Sequence, residues 1–197
     1  MPEVTKYDQG TPSWVDLATT DVEAAAKVEP AGGRVVMQLF DVMDNGRMAV
    51  ITDPEGAYFA LWQPKESIGA EIVNEHGALC WNEVAVDDPQ KLIPFYEQVL
   101  NVKFGRVEGV DMEYWMLKVG GRDVGGMMPK NEQMKGLASH WSVYFAVDDC
   151  DGSVEKAKSM KAQVIVPPAD MGPYRFAVLQ DPQGAVFSVV KMEQPAE

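Results

Sequence analysis

The segment Arg47-Met48-Ala49-Val50-Ile51-Thr52-Asp53-Pro54-Glu55-Gly56-Ala57 recurs late in the chain. There it reads Arg175-Phe176-Ala177-Val178-Leu179-Gln180-Asp181-Pro182-Gln183-Gly184-Ala185. An internal repeat restricts the fold more than composition does, because each copy must be the same piece of supersecondary structure. The shared form, R-x-A-V-(I/L)-x-D-P-x-G-A and then an apolar run, predicts strand, tight turn, strand. Proline pre-sets φ in the turn and glycine supplies its residue of positive φ.

A second signature lies upstream of each hairpin. Trp14-Val15-Asp16-Leu17-Ala18-Thr19-Thr20-Asp21 is similar to Trp81-Asn82-Glu83-Val84-Ala85-Val86-Asp87-Asp88. Ser142-Val143-Tyr144-Phe145-Ala146-Val147-Asp148-Asp149 is a looser copy. Each predicts a short strand ending in an acidic residue that caps a helix, since a carboxylate satisfies free N–H groups and suits the positive end of the dipole. The helices are expected over Val22 to Val28, Pro89 to Leu100 and Gly152 to Met160, each followed by three strands.

The chain thus reads as α+β, built from repeated βαβββ modules: about Thr11 to Gln63, Gly77 to Pro129 and Ser139 to Met192. The expected domains are a single module at 11–63, a linker at 64–76, and a paired set of modules at 77–192. The first module is anomalous. Its helix is short, stops at Pro30-Ala31-Gly32-Gly33, and the sequence around Thr20-Asp21-Val22-Glu23 reads as a splice.

Composition narrows the function. A hydrophobic fraction of 46% lets 197 residues bury a proper core. A net charge of −13 argues against nucleic acid and against an anionic membrane surface as partners. The acidity itself is read as solubility. Cys80 and Cys150 lie in no zinc spacing and are expected as free thiols, most often buried. Met1 to Gly10 is polar and no apolar run is long enough to span a bilayer, so a cytoplasmic location is expected. Gly120-Gly121 and Gly125-Gly126 make no dinucleotide fingerprint and are read as turns or close strand packing.

Three features together resemble one family: strands led by W-x-(D/E), the helix Phe95-Tyr96-Glu97-Gln98-Val99-Leu100, and the D-P-x-G-A hairpins. It is the vicinal oxygen chelate superfamily of glyoxalase I, bleomycin-resistance proteins and extradiol dioxygenases. Gln9 to Leu17, Val73-Asn74-Glu75 and Arg175 to Leu179 add a likeness to glyoxalase-like actinobacterial proteins, including a mycobacterial culture-filtrate antigen. The resemblance implies modules that pair into cupped mixed sheets holding a small organic molecule. It also implies four modules, where this chain has three. Module one then joins the first strand of one module to the helix and later strands of the next. About one module is missing at Asp21–Val22, either deleted or left out of the numbering.

The resemblance places metal ligands on the first strand of a module and on its last, four residues after the turn glycine. Those positions hold Trp14, Trp81 and Ser142, then Ala60 and Ser188. Tryptophan and alanine cannot ligate a divalent ion and neutral serine is a poor ligand, so neither metal nor cofactor is expected.

Strand alternation puts Asp16 on the face of Trp14, Glu83 with Trp81, Tyr144 with Ser142, and Tyr58 with Ala60 and Trp62. An acid beside a tryptophan suits a pocket that stacks a flat ligand and fixes it by a hydrogen bond. It equally suits a filled cup whose acids pair with arginines. Arg47 and Arg175 could hold an anion or lie as solvated strand ends. Met112, Met116, Met127 and Met128 fit an adaptable pocket or a core.

The expectation is a metal-independent binding protein, for resistance, sequestration or regulation. The alternative is an enzyme, a glyoxalase-like lyase, isomerase or dioxygenase type, with Asp16 or Glu83 as base. A homodimer through the first module is also expected. Left unpaired, that module would expose Trp14, Tyr58 and Trp62.

Overall fold

In a computed structural model, residues 4–8, 11, 17–18, 25–109 and 112–192 are described. Three modules follow in order. The first is β1 (Leu17–Ala18), α1 (Ala25–Val28), β2 (Arg34–Val42), β3 (Gly46–Thr52) and β4 (Tyr58–Pro64). The second is β5 (Leu79–Val86), α2 (Pro89–Leu100), β6 (Lys103–Arg106), β7 (Trp115–Val119) and β8 (Arg122–Pro129). The third is β9 (His140–Ala146), α3 (Cys150–Ser159), β10 (Gln163–Met171), β11 (Tyr174–Gln180) and β12 (Val186–Met192). In each, the first strand runs parallel to the last and the other pairings are antiparallel, so the sheets are mixed. No helix among the described residues is long and apolar enough to cross a membrane.

Local chemistry sets the helix starts. Asp88 caps α2, taking the Lys91 amide on its carboxylate, with Pro89 in the first turn where its missing N–H costs nothing. Asp149 caps α3 through the Gly152 amide at 3.1 Å, which starts that helix at Cys150, two residues earlier than expected. Of the first helix only Ala25–Val28 falls within the described residues. The Asp21–Val22 junction lies outside them, as do Trp14 and Asp16.

The chain divides into two compact units. The larger holds Val4–Glu71 and Asn82–Trp141, and the smaller holds Ile72–Trp81 and the chain from Ser142. This division differs from the expected one of 11–63 apart from 77–192. The reason lies in α2, whose buried Leu92, Phe95, Tyr96, Val99 and Leu100 form a wide apolar face and leave Gln90, Lys91 and Gln98 exposed. Such a helix needs cover on two sides. Ile51, Phe59 and Leu61 of module one supply one side, and Val84, Val86, Trp115, Leu117 and Met127 of module two supply the other. Gly33 lets the layers close, because a Cβ there would meet Phe95 and Val28 below 3 Å.

In the smaller unit α3 buries only Cys150 and Val154, against Ala177, Leu179 and Val189. Its outer face carries Glu155, Lys156 and Lys158 and needs no second sheet. Phe145 and Phe187 meet edge to face at 6.2 Å on the same side of their sheet.

Both cysteines are free thiols, as expected. Cys80 donates to the Tyr144 carbonyl at 3.3 Å, and burial pushes its thiol up to about 12. Burial also raises the Cys150 thiol, so neither is poised as a nucleophile.

Candidate functional site

Strand β5 carries two chemistries on its two faces. Val84 and Val86 enter the α2 core. Glu83, 6% exposed, lies on the opposite, concave face, where the alternation of residues predicts it. A buried carboxylate needs partners. The Tyr114 hydroxyl donates to Glu83 Oε2 at 2.8 Å.

The neighbouring strand makes this contact possible. Glu83 stands directly opposite Gly126 on β8, and Gly126 stands opposite Met116 on β7. Tyr114 is two residues before Met116, on the same face. Its ring lies over Gly126 so closely that a Cβ there would fall 1.8 Å from the phenolic oxygen. Only glycine leaves room for the ring. Gly125, on the other face, is held close to Leu117 and the Asn82 carbonyl. The Gly-Gly pair is therefore close strand packing, not a turn.

Register also supplies a position that sequence reasoning passed over. The last-strand partner of Tyr144 is Ser188, and the corresponding partner of Glu83 is Gly126. Module two has no D-P-x-G turn from which to count, so only the structure identifies it. The first-strand and last-strand positions within the described residues are therefore Trp81, Ser142, Ala60, Gly126 and Ser188. This donor set does not fit a divalent metal, which needs imidazole, carboxylate or thiolate. Among the described residues no group of three His, Cys, Asp or Glu is arranged to hold one.

The other expected site residues fall as follows. Trp81 is half-buried and engaged, in the smaller unit. Half-buried Ser142 and Tyr144 share a face of β9, with Ser188 (2% exposed) opposite Tyr144 on β12. In module one Tyr58 is 57% exposed, whereas Trp62 covers Gly46 and donates its indole N–H to the Ser67 carbonyl at 2.9 Å. Arg47 meets Asp41 at 3.4 Å, beside Lys65. Arg175 forks onto Asp151 and reaches Asp170 at 2.8 Å, which raises its guanidinium still higher. Both arginines are thus engaged as structural ion pairs. Met127 is core, Met128 is buried on the Glu83 face and Met112 is exposed.

A second polar cluster went unforeseen. In the module-one turn, Asp53 is 2% exposed and accepts from the Glu55 and Ala57 amides, both at 2.9 Å, and from the Tyr96 hydroxyl at 2.7 Å. Trp141 donates its indole N–H to that same hydroxyl at 3.2 Å. Glu55 accepts from the Asp87 and Asp88 amides and from the Ser139 hydroxyl. In the repeated turn of module three, Asp181 takes the Gln183 and Ala185 amides of its own turn. The cluster is a structural latch inside the larger unit.

With this geometry in hand, comparison with known proteins defines the class. Residues 78–189 match the Glyoxalase/Bleomycin resistance protein/Dioxygenase superfamily, and the chain belongs to it. The matched stretch runs through modules two and three. The chain is 38% identical to the protein named "Putative glyoxylase CFP32" of Mycobacterium bovis, over 97% of this chain and 98% of that protein. It is 37% identical to the anthracycline biosynthesis protein DauV of a Streptomyces species, over 91% of this chain and 66% of that protein. Among solved structures, the Mn(II)-bound glyoxalase of Novosphingobium aromaticivorans superposes with a TM-score of 0.61 at 16% identity. That superposition covers 92% of this chain and 63% of the glyoxalase, so the chain spans less than two thirds of its length. The 2,2',3-trihydroxybiphenyl 1,2-dioxygenase of Sphingomonas wittichii gives a TM-score of 0.60 at 15% identity, over 89% of this chain and 68% of that one. These likenesses show the vicinal oxygen chelate fold.

Proposed function

We propose that this chain binds a small, flat organic molecule on the concave face of its second module, without a metal centre. The observation that carries the reading is Glu83, a carboxylate buried on that face and bonded to Tyr114, where the metal-ligand positions hold residues unable to ligate. A few buried polar groups beside apolar ones, here Glu83 near Ala85 and Met128, are what fix a ligand's orientation. Likeness to two anthracycline biosynthesis proteins directs the choice of ligand to polycyclic aromatics. Sequestration, resistance or regulation by such a molecule would each follow.

Tryptophan fluorescence titration with an anthracycline, a plain anthraquinone and bleomycin tests the reading. Saturable quenching by at least one is expected, and Glu83→Gln should weaken it about tenfold at unchanged thermal stability. No saturable binding by any of the three would overturn it.

A second reading, an enzyme using Glu83 as general base, draws on the same 2.8 Å contact with a phenolic hydroxyl and on the likeness to a glyoxylase. Turnover of a glyoxalase or isomerase substrate that disappears in Glu83→Gln would favour it over binding alone.

A further inference from the structure

We propose that Tyr114 is a built-in occupant of the concave site, and that the ligand enters by laying its own phenolic ring over Gly126 and its own hydroxyl on Glu83. The proposal rests on the binding reading above and names the ligand's chemistry.

Gly126 lies inside β8, where a glycine weakens the strand and commonly marks a place that something must approach closely. What approaches is an aromatic ring. The Tyr114 oxygen, ring carbon Cζ and Cε1 lie 1.8, 2.3 and 2.7 Å from the place of a Cβ. The hydroxyl of that ring meets a buried carboxylate at 2.8 Å. The chain itself therefore displays a ligand that fits here: a flat ring bearing a hydroxyl group.

Tyr114 is also placed to leave. It lies just outside the ladder, between β6 ending at Arg106 and β7 starting at Trp115. Its carbonyl accepts from the Val107 amide at 2.9 Å, and Glu108, Gly109, Met112 and Glu113 around it are exposed. The next residue, Trp115, enters the α2 core, so the side chain of Tyr114 lies on the opposite face, away from that core.

The exchange favours a phenol. A phenolic ligand replaces the phenol–carboxylate bond with an identical one, so Glu83 loses no partner. A ring without the hydroxyl leaves a buried carboxylate short of a hydrogen bond, which is costly.

Calorimetric titration of 2-naphthol and 2-methoxynaphthalene into the full chain and its Tyr114→Ala variant tests this. Removing the occupant should tighten 2-naphthol binding at least about tenfold, with a similar preference for naphthol over its methyl ether. Both gains should vanish in Tyr114→Ala/Glu83→Gln, and Tyr114→Ala/Gly126→Leu should lose binding because the leucine fills the place. Tyr114→Phe preserves the packing and should shift naphthol affinity in the same direction by a smaller factor, so the test survives poor folding of the alanine variant. Equal naphthol affinity in wild type, Tyr114→Phe and Tyr114→Ala, or no preference over the ether, overturns the proposal. If the anthracycline panel binds while these results fail, only the phenol assignment is lost. If nothing binds to any form, the binding reading is lost with it.

Discussion

Tyr96 on α2 donates its hydroxyl hydrogen to Asp53 Oδ2 at 2.7 Å, although 43 residues separate them. The bond joins the hairpin turn of module one to the helix of module two, beneath the Phe59, Phe95 and Trp141 rings. Tyr96 is wholly buried, and burial followed by the Asp53 charge drives its phenol well above the usual range. It stays a donor.

Tyr96→Phe should therefore cost about 1–3 kcal/mol, because it removes a hydrogen bond from a buried carboxylate while keeping the ring. Urea unfolding followed by tryptophan fluorescence would measure it, with an unchanged slope as the sign that only the native state is affected. A loss below about 0.5 kcal/mol would show that Asp53 is satisfied by its turn amides alone.

Asp53 also gives a pH dependence of known sign. Burial raises its carboxyl, overriding the bonds from Tyr96, Ala57 and Glu55 that lower it. The folded chain thus holds this proton more tightly than the unfolded one. The stability it contributes is fully present below the unfolded value of about 3.9, and is lost as pH rises through the raised folded value. Asp41, Asp88 and Asp151 run the other way, held low by hydrogen bonds from Lys65, Lys91 and Arg175, so their stabilisation is lost only as pH falls below the ordinary carboxylate range. Above about pH 4, then, the wild type should lose stability with rising pH relative to Asp53→Asn. Parallel stability curves for the two proteins from about pH 4 to pH 7 would refute this assignment.

Much of this architecture is legible in the chain. Asp-Pro-x-Gly and the acidic caps act within a few residues, so the hairpins and the start of α2 follow from sequence, while α3 starts two residues before the expected Gly152. The faces of β4, β5 and β9 follow from alternation, which fixed Glu83 opposite Val84. The pairing of module one with module two did not follow. It depends on α2 having a wide apolar face while α3 buries only Cys150 and Val154, a contrast visible in Phe95-Tyr96 against Glu155-Lys156 but decisive only once a second sheet is in place. Tyr114 was hidden for a related reason. Its role comes from lying across Gly126, and no local signal connects a residue before β7 with a glycine in β8.

The donor set gives a third prediction. Protein purified without a histidine tag should carry zinc, nickel, iron and manganese well below one equivalent by elemental analysis. Trp81, Ser142, Ala60, Gly126 and Ser188 offer only two neutral hydroxyls, too few and too weak for a divalent site. One tightly held equivalent whose removal abolishes ligand binding would contradict it.

The last prediction concerns the concave face of module one. Its helix side is covered by α2, yet Tyr58 at 57% exposure and half-buried Trp62 share the other side with Met48. The alignment with the mycobacterial relative runs over 258 residues, more than the 197 here, so that relative carries residues with no counterpart in this chain. Absence of a whole module would leave this face without its cover. A second copy of the chain can supply one by two-fold pairing, which is self-complementary and closes. Trp14 and Asp16, outside the described residues, would then line a cup rebuilt between the two copies. Light scattering at micromolar concentration should report a dimer. Tyr58→Asp is the cleaner disruption, because Trp62 also holds Ser67 and covers Gly46, so replacing it would disturb the fold itself. A dimer that becomes monomer in Tyr58→Asp with unchanged circular dichroism supports the pairing, and a wild-type monomer rules it out.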